Sequence, residues 1–200
     1  MKKILIIVSA LILCFMFSSC TKTEIDKNAI IESIYVSKSG DILKFEFNTV
    51  KNENTAVLKK YRAYSDSLEN AKSSLESSAV PHLFLGQLEC IVISNQLDLE
   101  EVRSSLGYFK SSYECSPGVR LLFATNKAVK ELEEKEIPVT RLAELSDLSR
   151  NKNSDTSVNI YTFYNSLSKL NEEAKVNLLY SESQLDVKAM PFSDIRGESE

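Results

Sequence analysis

Leu88-Glu89-Cys90-Ile91-Val92-Ile93-Ser94, followed downstream by Val119-Arg120-Leu121-Leu122-Phe123-Ala124-Thr125, decides the fold class. Each run has strand length, is rich in bulky or β-branched apolar residues, and does not alternate with polar ones. A strand that is apolar at successive positions is buried on both faces, the usual state of parallel strands covered by helices. Between the runs, Leu99, Val102, Leu106 and Phe109 recur at helical steps, and Ser116-Pro117-Gly118 breaks the chain. The unit reads as strand, helix, strand, with its strands expected as parallel neighbours joined by a right-handed crossover.

Toward the N-terminus the period changes. In Ile42 to Val50, Leu43, Phe45 and Phe47 alternate with Lys44, Glu46 and Asn48, which predicts a half-buried strand with its polar residues in solvent. A strand from Ala29 to Val36 precedes it, and Ser39-Gly40-Asp41 supplies the turn of a hairpin. Lys51 to Asn54 reads as a polar loop. Tyr64 to Ser78 reads as an amphipathic helix with Leu68, Ala71, Leu75 and Ala79 on one face, Ser65 or Ser67 as cap, and Pro81 as stop.

Toward the C-terminus, Asn126 is expected to cap a short helix through Leu132, and Pro138 with Thr140 to open another that carries Leu142, Leu145 and Leu148. Arg150 to Ser157 reads as a linker. Val158 to Tyr164 has strand propensity, while a Ser157 cap with Val158, Tyr161, Leu167 and Leu170 fits a helix; the helical reading is preferred. Leu185 to Met190 alternates and predicts a final strand. Ser193 onward is polar, with residues 196–200 expected to fray. The whole reads as one α+β domain over residues 29–195: a mixed sheet with an N-terminal hairpin, a parallel strand-helix-strand unit and helices packed on the sheet.

The N-terminus carries an address. Met1-Lys2-Lys3 is a positive start, Ile4 to Phe17 is apolar apart from Ser9, and Phe17-Ser18-Ser19-Cys20 places small residues before a cysteine. The run is shorter than the roughly 20 residues of a membrane span and has the length of a signal-peptide core. Residues 1–19 therefore read as a lipoprotein signal peptide, Cys20 as the lipid attachment site, and 20–28 as a polar stalk. The expected modification is a diacylglycerol thioether with an N-acyl chain on Cys20, since one acyl chain holds a membrane only marginally. The alternative is an uncleaved anchor helix, and on either reading the domain lies outside a cytoplasmic membrane.

Composition narrows the function classes. The formal net charge is −4, and losing the leader removes Lys2 and Lys3, making the remainder more acidic. Without a basic block, binding to nucleic acid or to an anionic membrane patch is not expected. Cys14 falls in the leader and Cys20 is the lipid site, which leaves Cys90 and Cys115. A disulfide between these two is permitted outside the cell and would close a loop of about 25 residues, stabilising by roughly 3 kcal/mol. The preferred reading is instead a free thiol at Cys90, behaving as a small buried hydrophobe.

Catalytic parts are sparse. His82 is the single histidine and cannot build a metal site with two scattered cysteines. Gly40, Gly86, Gly107, Gly118 and Gly197 are dispersed, so no phosphate-cradling loop forms from them. No Gly-x-Ser-x-Gly stretch occurs. Glu131, Glu133, Glu134 and Glu136 read as a solvated helix end, although an acid pair for glycoside chemistry leaves no local signature. Tyr161, Phe163 and Tyr164 fit either a small-ligand pocket or a cover over the sheet, and the cover is preferred. Neither an enzyme nor a metal is expected, and no cofactor beyond the lipid.

Three stretches resemble one family. Glu24-Ile25-Asp26-Lys27-Asn28-Ala29-Ile30 is similar to the mature N-terminus of the spore germinant receptor C subunit, a spore germination lipoprotein family. Pro81-His82-Leu83-Phe84-Leu85-Gly86-Gln87-Leu88 and the strand after it resemble that family's Leu-Phe-x-Gly-His-Leu segment, with Gln87 in place of its His. Val119 to Thr125 resembles the strand after its crossover helix. Order and spacing agree over roughly residues 20 to 195, the family's N-terminal region, and Thr21 stands where the family has Trp. The resemblance implies a non-enzymatic, membrane-anchored lipoprotein that partners two integral membrane receptor subunits in assembly or signal relay, with interaction surfaces expected on loops 111–118 and 150–157. A solute-binding or envelope-scaffold lipoprotein of the vegetative cell is the alternative.

Overall fold

A computed structural model describes residues 28–49, 59–78, 80–116, 118–135, 137–152, 158–168, 174–182 and 184–197. The signal peptide, Cys20 and the stalk as far as residue 27 lie outside these residues; Asn28, assigned to the stalk, is the first residue of a strand.

Strands β1 (Asn28–Ser39), β2 (Ile42–Thr49), β3 (Lys60–Ser65), β4 (His82–Phe84), β5 (Cys90–Ser94), β6 (Arg120–Ala124), β7 (Lys175–Ser181) and β8 (Leu185–Pro191) form one mixed sheet. Their order is β3-β2-β1-β5-β6-β7-β8, with β4 beside the start of β1. β1, β5, β6 and β7 run parallel, and β2, β3 and β8 extend the sheet antiparallel at its flanks. The helices are α1 (Leu68–Ser77), α2 (Leu99–Leu106), α3 (Tyr108–Ser111), α4 (Asn126–Glu134), α5 (Val139–Lys152) and α6 (Ile160–Ser168). This is the mixed α+β architecture read from the sequence.

Pleating sorts the core into two layers. On one face Ile34, Phe45, Ile93 and Phe123 meet Leu68 and Ala71 of α1, Val102 and Leu106 of α2, and Ile160 and Phe163 of α6. On the other, Cys90, Val92, Leu122 and Leu179 meet Ala128 and Leu132 of α4 and Leu142 and Leu145 of α5. All five residues of β5 are buried, as a run apolar at successive positions requires. Register in β1 shifts between Ile31 and Ser33, and the extra residue, Glu32, lets Ile31 and Ile34 face the same core. The hairpin turn places Gly40 at φ 64°, a left-handed conformation that glycine adopts without a Cβ clash.

Local caps explain several boundaries. Asp98 accepts from the Glu101 N–H while the Glu101 carboxylate accepts from the Asp98 N–H, both at 2.8 Å, a reciprocal box at the start of α2. Helix α1 starts at Leu68 behind a Ser67 cap, and Lys60–Ser65 is a strand paired to β2, so the expected helix start at Tyr64 is corrected. Only Ala63 of β3 is buried, and no apolar alternation marks it. The cap of α4 is Thr125, whose hydroxyl accepts from the Ala128 N–H; Asn126 is the first helical residue.

Helix α5 continues through Arg150–Lys152, so the expected linker shortens to residues 153–157, which lie outside the described set together with the Ser157 cap. Asn159 takes that role at α6, accepting from the Thr162 N–H at 2.8 Å. The segment before it answers to both readings: Asn159 bridges Arg120 in strand fashion and the helix begins one residue later. The buried side of α6 is Ile160 and Phe163, whereas Tyr161 is 62% exposed, which corrects the expected face. β7 and β4 add strands beyond the predicted ones. Finally Ile195 is buried within a short 3-10 turn (Ile195–Gly197) and its carbonyl accepts from Asn95, so Arg196 and Gly197 belong to an anchored turn.

Candidate functional site

β2 departs from the half-buried strand that its alternation predicts. Leu43, Phe45 and Phe47 enter the core, yet on the opposite face Glu46 is only 1% and Asn48 only 3% exposed. Register builds a polar lattice across β1, β2 and β3 in three rows: Ser33, Asn48 and Lys60; Tyr35, Glu46 and Arg62; Ser37, Lys44 and Tyr64. Every position is polar or amphipathic, unlike the apolar remainder of that face under α4 and α5.

Charge pairing holds this lattice together. Arg62 Nε donates to Glu46 Oε2 at 2.6 Å, and Lys60 Nζ stands 3.4 Å from Glu46 Oε1. The Glu46 carboxylate in turn raises the Arg62 guanidinium pKa by hydrogen bonding and charge. Lys44 Nζ donates to Glu133 Oε1 at 2.8 Å and Lys60 Nζ to the Glu133 carbonyl at 3.0 Å, placing two cations at the negative C-terminal end of α4. Among the described residues Asn48 has no hydrogen-bond partner at either side-chain atom. Such a buried, unsatisfied amide is costly, on the order of 1–3 kcal/mol.

At the carboxyl ends of the parallel strands the lattice opens into a crevice of about 380 Å³. β5 leads to α2 on one face of the sheet while β6 leads to α4 on the other. Diverging exits of this kind leave open the carboxyl edge, where open α/β sheets bind ligands. The crevice is lined by Ser37, Lys38 and Ser39 at the end of β1, Lys44 and Tyr64 from the lattice, and Ser94 and Gln96 after β5. Helix α4 contributes Asn126, Val129, Lys130 and Glu133. Lys38 pairs with Glu101, which raises its pKa, and Lys130 has no ion-pair partner among the described residues. A more open depression of about 430 Å³ beside Asp98, Glu100, Phe192 and Arg196 gathers no such set of like charges.

The residues singled out from sequence are scattered. Cys20 lies outside the described residues. Cys90 and Cys115 are free thiols on opposite sides of the sheet: Cys90 packs under α4 and α5, Cys115 against the other core. That placement separates the pair considered for a disulfide, and burial pushes both thiols up to about 12. His82 Nδ1 stands 2.8 Å from Glu76 Oε1, which also accepts from the Leu83 N–H and pairs with Lys72, so the group fastens α1 to β4.

The acidic end of α4 is more than a solvated terminus. Glu131 accepts from Lys135 and Ser181, and these bonds hold its carboxyl below the usual range. Phe163 packs tilted against Phe123 and edge-on against Phe192 in the core. Tyr113, on the expected 111–118 surface, is fully exposed. Among the described residues no group of three His, Cys, Asp or Glu side chains is placed to hold a metal ion, and no helix is long and apolar enough to cross a membrane.

The crevice escaped sequence reading because its lining comes from separate elements, none carrying a motif. The only available signal was the excess of lysine over acid at Lys38, Lys44 and Lys130. Comparison with known proteins gives one match: a family model described as the spore germination protein N-terminal domain, over residues 21–179. No curated protein and no solved structure matches the chain.

Proposed function

Because the chain belongs to the family of spore germination protein N-terminal domains, we propose that it acts in germination as a lipid-anchored, non-enzymatic subunit of a nutrient germinant receptor. The observation that carries this reading is a coincidence of position: the family match begins at Thr21, immediately after the cysteine that ends a lipoprotein-type leader. On this reading Cys20 carries the diacylglycerol and N-acyl chains, and a stalk of a few residues leads to β1. The domain then sits on the outer face of the spore inner membrane beside two integral membrane subunits. Its contribution is assembly or signal relay, through a rigid sheet whose two faces are locked by helices.

Among the described residues, the side chains support a role without covalent catalysis. His82 is tied to Glu76, both thiols are held protonated, and the strongest charge cluster pairs internally.

Deleting the gene tests the reading. Spores without it should germinate more slowly with at least one nutrient, and the protein should co-purify from spore membranes with two multi-span proteins. Normal germination with every nutrient, together with absence from the spore inner membrane, would overturn it and favour a vegetative envelope role.

A further inference from the structure

We propose that the crevice at the carboxyl ends of β1 and β5 is a binding site for a small oxyanion, a phosphate- or carboxylate-bearing molecule. Three independent observations converge there. First, the chain is acidic overall, yet Lys38, Lys44 and Lys130 meet at this crevice; Lys38 is paired with Glu101 and Lys44 with Glu133, which leaves the Lys130 charge unmatched. Lys130 has no acidic partner among the described residues, so its ammonium is available to a ligand.

Second, Ser94 lines the crevice at only 2% exposure. Its hydroxyl oxygen accepts from the Gln96 N–H at 3.3 Å, and the O–H has no acceptor among the described residues. A buried hydroxyl with its proton unassigned is a donor in want of an oxygen. Third, the first turn of α4 reaches the crevice at Asn126, adding the positive end of a nine-residue helix.

Size and polarity set the class. About 380 Å³ suits a small molecule and not a chain. Val129 is the one aliphatic side chain in the lining, so a hydrophobic ligand finds little to cover. A cation would face the unmatched Lys130 ammonium beside two lysines that already have acid partners. The Lys130 ammonium and the Ser94 O–H, which have no acceptor among the described residues, select an anion, and phosphate and carboxylate oxygens share that requirement.

The test is calorimetry on the full-length protein in detergent, titrated separately with inorganic phosphate, citrate and glucose. Saturable binding of phosphate, citrate or both is expected, and none of glucose; the stronger anion shows which headgroup the site favours. Lys130 is exposed, so Lys130→Glu should leave the unfolding midpoint of the free protein unchanged while weakening binding by roughly tenfold. Ser94→Ala should weaken it about threefold. Absence of binding by both anions, or binding that Lys130→Glu leaves intact, overturns the proposal. Because the readout is binding in solution, its outcome is separate from that of the germination tests.

Discussion

One face of the sheet is built in two ways. Under α4 and α5, strands β5, β6 and β7 present Val92, Leu122 and Leu179 to a dry layer. On the adjoining strands, β1, β2 and β3 present Ser33, Tyr35, Glu46, Asn48 and Arg62. Ser33, Tyr35, Glu46 and Asn48 are as buried as the apolar set, but by different means: apolar area covers the first region, and in the second a mesh of ion pairs, closed by the half-exposed Arg62, pins the end of α4 through Glu133. Burial alone therefore does not mark scaffold. The apolar half fixes the fold, while the polar half tolerates an unsatisfied Asn48 and opens into a crevice.

Four substitutions probe this contrast. Leu122→Ala strikes the apolar half, where Leu122 is fully buried, and should cost about 3 kcal/mol in urea unfolding through lost contacts and a cavity. Glu46→Ala strikes the polar half and leaves Lys60 and Arg62 without their acid; since Arg62 is half exposed and rehydrates, the expected loss is smaller, about 1–2 kcal/mol. A loss equal to that of Leu122→Ala would mean the mesh is as structural as the core. Asn48→Leu removes two unpartnered polar atoms and should be neutral or stabilising by up to about 1 kcal/mol in the same assay. Marked destabilisation would show that Asn48 has a partner in solution.

The smallest effect concerns acid. Glu131 has a folded pKa below its unfolded value because Lys135 and Ser181 bond its carboxylate. Its stabilisation is therefore present above the unfolded carboxylate pKa, about 4.3, and is lost as pH falls through the lower folded value. Removing the Ser181 hydroxyl with Ser181→Ala should make the acid limb of the stability curve slightly shallower and leave the neutral plateau lower by only a little. A steeper acid limb would contradict the sign.

Much of the fold was legible because its central strands have one environment on each face. Cys90 to Ser94 and Leu121 to Ala124 could only be doubly buried strands, and Leu99, Val102 and Leu106 only a helix between them. β3 was hidden because its single buried side chain, Ala63, is too small to mark a period. The face of α6 was misread because Tyr161 is apolar enough to count toward a stripe yet points to solvent, while Ile160 and Phe163 take the core.

The site was less legible still. Lys44, Glu46 and Asn48 have the pattern of a solvent face, and only the cross-strand register with Lys60 and Arg62 reveals that Glu46 and Asn48 are buried. A crevice assembled from β1, β2, β3, α4 and the segment after β5 leaves no contiguous trace.

The proposed role places this family domain in germination, held by a lipid anchor at Cys20. The most direct measurement is the rate of nutrient-triggered germination of spores lacking the gene, complemented with either the wild-type chain or Cys20→Ala. The wild-type chain is expected to restore the rate and Cys20→Ala is not, although its domain folds. Equal restoration by both would contradict it.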